Sequence, residues 1–161
     1  MKFLYSSTDG RAVIAYPVSK EQLEKSLGPM TDEEYKSLLI SKMIPEGKNY
    51  IEIEDDDIPQ DLTHRAAWIV YNGKIAIDCE RARDKKLSII RKKREPIFEK
   101  LDREYLNALQ DQADTTDILS RRNSLRRATD FLKNLDVVNK INDEAILNSI
   151  RSSDIRPEDY E

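Results

Sequence analysis

Two hydrophobic periods divide the chain. Before residue 78 the apolar runs that read as strands are short, and the clearest of them alternate with a period of two. After it apolar residues recur with a period of roughly 3.6. Phe3-Leu4-Tyr5 and Ala12-Val13-Ile14-Ala15-Tyr16 flank Thr8-Asp9-Gly10, which predicts a hairpin whose glycine takes positive φ, with Pro17 closing the second strand. A short helix follows from about Ser19 to Leu27, ended by Gly28-Pro29. Thr31 and Glu34 form a capping box. They open a helix that Pro45 and Gly47 stop and that sets Tyr35, Leu38, Leu39 and Met43 on one face. Tyr50-Ile51-Glu52-Ile53-Glu54 alternates strictly, as a half-exposed strand does, and runs into an acidic loop at Asp55-Asp56-Asp57. Asp61 or Thr63 is expected to cap a single turn through His64, Arg65 and Ala67. A second hairpin then joins Trp68-Ile69-Val70-Tyr71 to Lys74-Ile75-Ala76-Ile77 through Asn72-Gly73, the preferred pair for a type I′ turn.

Asp78 reads as the N-cap of a helix of roughly 30 residues ending near Gln110. Its apolar stripe is Ala82, Leu87, Ile90, Ile97, Leu101, Tyr105 and Ala108, with Ile90–Ile97 and Leu101–Ala108 a heptad apart. Pro96 removes one hydrogen bond inside it, which predicts a kink or a break. A turn at 111–114 leads to a second helix from Thr115 or Thr116, in which Ile118, Leu125 and Leu132 recur every seven residues. Two such helices on a short link predict an antiparallel hairpin. A last short helix is expected at about 143–150 and a polar, loosely held tail at 151–161. The fold class is therefore α+β: a small N-terminal hairpin and helix head, then a long antiparallel α-helical hairpin arm. The head spans 1–77, divisible into a module at 1–57 and a hairpin at 58–77, and the arm with its short last helix spans 78–150.

Composition sharpens this. With 161 residues the chain suits one compact unit or two small ones. Charged residues make up 36% and apolar ones 39%, and the mean hydropathy of −0.70 describes a charge-rich chain. No apolar run approaches the roughly 18 residues of a membrane span. Met1 to Ser6 turns polar too early for a signal peptide, so no membrane is expected among the partners. A single cysteine, Cys79, cannot form an internal disulfide, and with a single histidine, His64, the common zinc ligand sets are excluded. The net charge of −4 gives no overall field to recruit nucleic acid.

Candidate chemistry is sparse. The acidic residues Glu52, Glu54, Asp55, Asp56, Asp57 and Asp61 lack the central glycine and terminal bidentate glutamate of a calcium loop, so they read as a solvated strand edge and no metal is assigned. Cys79 follows the helix N-cap, where a thiolate is favoured, and a pairing with His64 is the one nucleophile-and-base arrangement available. No oxyanion-hole motif or phosphate loop accompanies it, so no catalytic residue and no cofactor are expected. The strongest charge feature is basic: Arg81, Arg83, Lys85, Lys86, Arg91, Lys92, Lys93 and Arg94, followed by Arg121, Arg122, Arg126 and Arg127. Gathered on one face, Arg91, Lys92, Lys93 and Arg94 make a phosphate-binding patch; spread around the helix, these cations pair with Asp84, Glu95, Glu99 and Asp102 instead. The apolar stripe points elsewhere. A two-helix arm covers only part of each stripe, which favours an interaction module, with a third helix, an oligomer mate or a client protein on the remainder. The candidate partner-binding residues are Ile90, Ile97, Leu101, Tyr105, Ala108, Ile118, Leu125 and Leu132, with Trp68 as an anchor. Core filling is the competing role for Trp68.

From about Ile58 onward the chain resembles a family of small tailed-phage and prophage proteins associated with tail-fibre genes, similar to tail-fibre assembly chaperones. The residues that carry the resemblance are Pro59, Asp61, Thr63, Arg65, Ala67 and Trp68, then Gly73, Lys74 and Asp78, then Ala82-Arg83. Ile90-Arg91, Arg94, Pro96 and Leu101-Asp102 continue it along the basic helix. Ala108-Leu109, Leu125-Arg126 and a closing helix at 144–150 complete it. His64 stands where the family usually has Phe, and Leu62 where it has Arg. The resemblance implies a non-enzymatic protein that binds a tail fibre or another tail component and assists its assembly or attachment. It acts in the host cytoplasm during assembly, with retention in the virion tail as an adaptor subunit the alternative. A nucleic-acid-binding regulator using 81–94 is the third expectation.

Overall fold

A computed structural model describes residues 1–156. The architecture is α+β, with helices and antiparallel sheets. The chain divides between Ile77 and Asp78 into two compact units.

In the first unit, β1 (Lys2–Ser6) is the central strand of a three-stranded antiparallel sheet, flanked by β2 (Ala12–Ala15) and β3 (Tyr50–Ile53). The β1–β2 turn closes through Gly10 at φ 79°, a value that a residue with a Cβ adopts only at a cost. Register sets which side chains share a face. Phe3 lies opposite Ala15 and Glu52, and Leu4 opposite Ile14 and Ile51. Phe3 and Leu4 are both fully buried, so the central strand is covered on both faces. On the Phe3 side, α1 (Lys20–Leu27) and α2 (Asp32–Met43) supply Leu23, Tyr35, Leu39, Ile40 and Met43, and the Tyr50 ring meets Phe3 edge-on at 5.6 Å. Leu38, expected on this stripe, is half-buried outside the cluster, and Ile40 takes its place. The capping box at Thr31 and Glu34 forms as the sequence predicts, and α1 has a second one at Ser19 and Gln22. Against the other face lies β4 (Trp68–Tyr71), paired with β5 (Lys74–Ile77) through Asn72 at φ 49° and Gly73 at φ 75°, the two positive values a type I′ turn needs.

The second unit is built on α3 (Cys79–Gln110), 32 residues long and roughly 48 Å at 1.5 Å per residue. Asp78 caps it, accepting from the N–H groups of Glu80 and Arg81. The helix runs through Pro96 without interruption. Two different partners cover its stripe. Along the first half lies α6 (Glu144–Ser152), whose approach is fixed by the Cys79 N–H donating to the Lys140 carbonyl at 3.1 Å and an isolated bridge between Asp78 and Ile141. Along the second half lies α4 (Thr116–Arg127), running back: Arg121 pairs with Glu104 and Arg122 with Asp102.

Leu132 departs from the expected heptad. The second helix stops at Arg127, and Leu132 sits on a separate turn, α5 (Asp130–Lys133), buried together with Thr129. The break coincides with Arg94, whose guanidinium reaches the carbonyls of Leu125 and Arg126 and the Thr129 hydroxyl. The last helix also extends past 150 to Ser152, and Lys93 pairs with Asp154 at 2.6 Å. The remainder of the expected tail, 157–161, lies outside the described residues.

Candidate functional site

The stripe residues separate by depth. Ile90, Leu101, Leu125 and Leu132 are fully buried, as are Leu147 and Ile150 of α6. They form the core of the second unit and have no surface to offer a partner. Ile97, Tyr105, Ala108 and Ile118 are half-buried and border it. Trp68 is 3% exposed and its indole N–H finds no acceptor, an arrangement of core filling rather than of an open anchor.

The exposed apolar residues lie off the heptad. Leu106 is 57% exposed, Leu109 51% and Leu119 39%. Their relation follows from helical spacing. Asp102 and Arg122 join across one flank of the α3–α4 pair at 3.0 Å. Leu106 and Leu109 stand four and seven residues from Asp102, and Leu119 stands three from Arg122, so all three share that flank. The opposite running of the two helices, with Arg121 beside Glu104, brings Leu119 level with Leu106. The result is an apolar patch toward the end where the helices turn, bordered by a charge pair. The heptad leaves these leucines out of the partner-binding set because they fall outside the seven-residue repeat, although Leu109 belongs to the family resemblance. Being apolar at positions that the stripe leaves to solvent was the available signal.

The basic patch does not stand as a set of four free cations. Lys93 is held by Asp154, and Arg94 is turned toward the α4 carbonyls and stacks 5.7 Å over Phe98. Burial, reinforced by the neighbouring Arg91, lowers the Arg94 pKa below its usual value. Arg91 and Lys92 remain exposed. Elsewhere Arg83 pairs with the adjacent Asp84, and Arg122 of α4 reaches across to Asp102 of α3.

Cys79 reverses one expectation. It does follow the N-cap, but it is fully buried, and burial pushes its thiol pKa up, so the thiolate is disfavoured. His64 is buried in the first unit. The acidic run forms a 3-10 turn at Asp55–Asp57, where Asp57 accepts from the Glu54 N–H at 2.9 Å and Asp55 pairs with Lys2. Among the described residues no group of three or more His, Cys, Asp or Glu side chains is placed to hold a metal, and no helix is long and apolar enough to cross a membrane. No protein-family model matches the chain, and neither a curated protein nor a solved structure does.

Proposed function

We propose that this is a phage tail-associated protein that works by binding, not catalysis: it engages a tail fibre or another tail component and assists its assembly or attachment. The observation that carries the reading is the exposed leucine patch of Leu106, Leu109 and Leu119 on one flank of α3 and α4. Three solvent-facing leucines beside a half-buried rim of Tyr105, Ala108 and Ile118 supply apolar area that a partner surface would remove from water. The order of Pro59, Asp61, Thr63, Arg65, Ala67 and Trp68 ahead of a basic helix with Pro96 supports the choice of partner through its resemblance to tail-fibre assembly proteins. In this reading the α3–α4 pair is the helical hairpin arm that presents the surface, and the protein acts in the host cytoplasm.

Co-expression with the fibre protein of the same phage is the test. A higher soluble yield of the fibre and its co-purification support the reading; an unchanged yield with no co-purification rejects it. Counting copies in purified particles by quantitative mass spectrometry then separates the two forms of the proposal. Absence from particles, with abundant protein in the lysate, identifies an assembly factor that leaves. A fixed copy number in threes or sixes identifies a permanent adaptor subunit.

A further inference from the structure

We propose a second interaction site, on the first unit: the cleft along the free edge of β2 takes an extended acidic segment of a partner protein as an added strand. This inference is independent of the tail-fibre reading, since it rests on residues of the first unit alone.

Three observations converge. The first is the edge. In the order β2-β1-β3, β2 has a strand neighbour on one side only. The Ser7 N–H donates to the Arg11 carbonyl at 2.8 Å, which makes Ser7 and Arg11 a hydrogen-bonded pair. Such pairs alternate along an antiparallel ladder. Tyr5–Val13 and Phe3–Ala15 are therefore also bonded pairs, whereas Ala12 and Ile14, opposite Ser6 and Leu4, turn their N–H and C=O groups outward. Two residues thus offer a ready set of donors and acceptors at strand spacing, the requirement for strand addition.

The second is the cleft beside that edge. It measures about 640 Å³, within the range of roughly 300–1,000 Å³ usual for binding clefts, and its lining includes Ala12, Val13 and Ile14 of β2 together with Leu62, Arg65 and Trp68. An adjoining cleft of about 320 Å³ shares Leu62, Arg65 and Trp68 and continues past Tyr16. Leu62 is 54% exposed and Tyr16 53%, so apolar surface lies along the path that an added strand would follow.

The third is charge. Among the described residues the only charged ones lining the larger cleft are Arg11 and Arg65, both cationic, in a chain whose net charge is −4. Arg11 is partly engaged by Asp9 at 2.6 Å. Arg65 is different. It is exposed, its guanidinium lies 6.0 Å over the Trp68 ring, and it has no carboxylate partner among the described residues. A guanidinium positioned on an indole and left without a carboxylate is complementary to an acidic side chain on the incoming strand. In the adjoining cleft Lys2 and Asp55 already neutralise each other, and Arg11 is paired with Asp9, so the demand for negative charge is local to Arg65.

The test is selection from a ribosome-displayed library of short random peptides on the full chain. Two substitutions accompany it: Arg65→Glu, and Ala12→Pro, which removes an outward N–H at the start of an edge strand without touching the ladder. Enriched peptides should be rich in Asp, Glu and β-branched residues. Each substitution should weaken their binding about tenfold or more, and bound peptide should slow hydrogen exchange at Ala12 and Ile14. No enrichment above bare resin, or binders indifferent to Arg65→Glu, overturns the proposal. So does self-association in sedimentation that Arg65→Glu abolishes, because the occupant is then a second copy. If Ala12→Pro does not fold, the exposed Arg65→Glu variant and the exchange measurement decide alone.

Discussion

The Arg94 guanidinium lies 3.1 Å from the carbonyl oxygen of Leu125 and so joins the middle of α3 to the end of α4. The last carbonyls of a helix lack intrahelical donors and carry the negative end of its dipole. One arginine satisfies two of them, at Leu125 and Arg126, and also reaches the Thr129 hydroxyl. Arg94→Met keeps the apolar stem and removes every donor. It should lower stability by about 1.5–3 kcal/mol, the range for hydrogen bonds to a charged group, and speed hydrogen exchange in 125–133 before the rest of the second unit. All three acceptors are reached from a single nitrogen, Nη1, so Arg94→Lys, whose ammonium also carries its donors on one nitrogen, should recover part of the loss, limited by its shorter reach.

Burial dominates the chemistry of Cys79. In the folded protein its thiol should resist a disulfide reagent such as Ellman's reagent and react at the rate of a free thiol only after unfolding. The pH dependence follows from the raised pKa. Below the unfolded-state value, about 8.5, the thiol is protonated in both states and its full contribution to stability is present. As pH rises from there toward the folded value, the unfolded chain ionises first and that contribution is lost. Denaturant titrations from pH 7 to 10 should therefore show stability declining above about 8.5, and Cys79→Ala should flatten that limb.

Trp68 contributes volume and carries a small penalty. Its ring is buried and its N–H has no acceptor, so Trp68→Phe removes an unsatisfied donor together with one ring. Trp68→Ala should cost about 3–5 kcal/mol in chemical denaturation, and Trp68→Phe less than half of that.

Depth separates the leucines of the second unit by role. Leu101→Ala should lose about 2–5 kcal/mol of stability, because Leu101 is fully buried. Leu106→Asp combined with Leu119→Asp should change stability by no more than about 0.5 kcal/mol for each exposed site. The same double variant should lose partner binding while its circular dichroism spectrum stays that of the parent and its melting temperature shifts by no more than about 4 °C.

The local features were readable before any coordinates. Asn72-Gly73, Asp78 and the Thr31–Glu34 box each act within four residues of themselves, so composition and spacing carry their whole cause. What depends on distant residues was not readable. β3 pairs with β1 across more than forty positions, and nothing in Tyr50–Ile53 announces that partner. The alternation of that strand suggested one buried face, but Phe3 and Leu4 next to it are both fully buried because helices cover one side of the sheet and β4 the other. The heptad spacing of Ile118, Leu125 and Leu132 implied one continuous helix; a single side chain from another helix, Arg94, sits at the place where it ends. For the surface the same periodicity misdirects. A repeat identifies what is buried, and the apolar residues exposed on the α3–α4 flank, Leu106, Leu109 and Leu119, are ones that break it.

The most direct test of the account is a quantitative pull-down. The chain and the fibre protein of the same phage are co-expressed, and recovered fibre is measured for the parent and for the Leu106→Asp, Leu119→Asp double variant. The account predicts that fibre protein co-purifies with the parent and falls about tenfold or more with the folded double variant. Recovery that is equal for both, or absent for both, contradicts it.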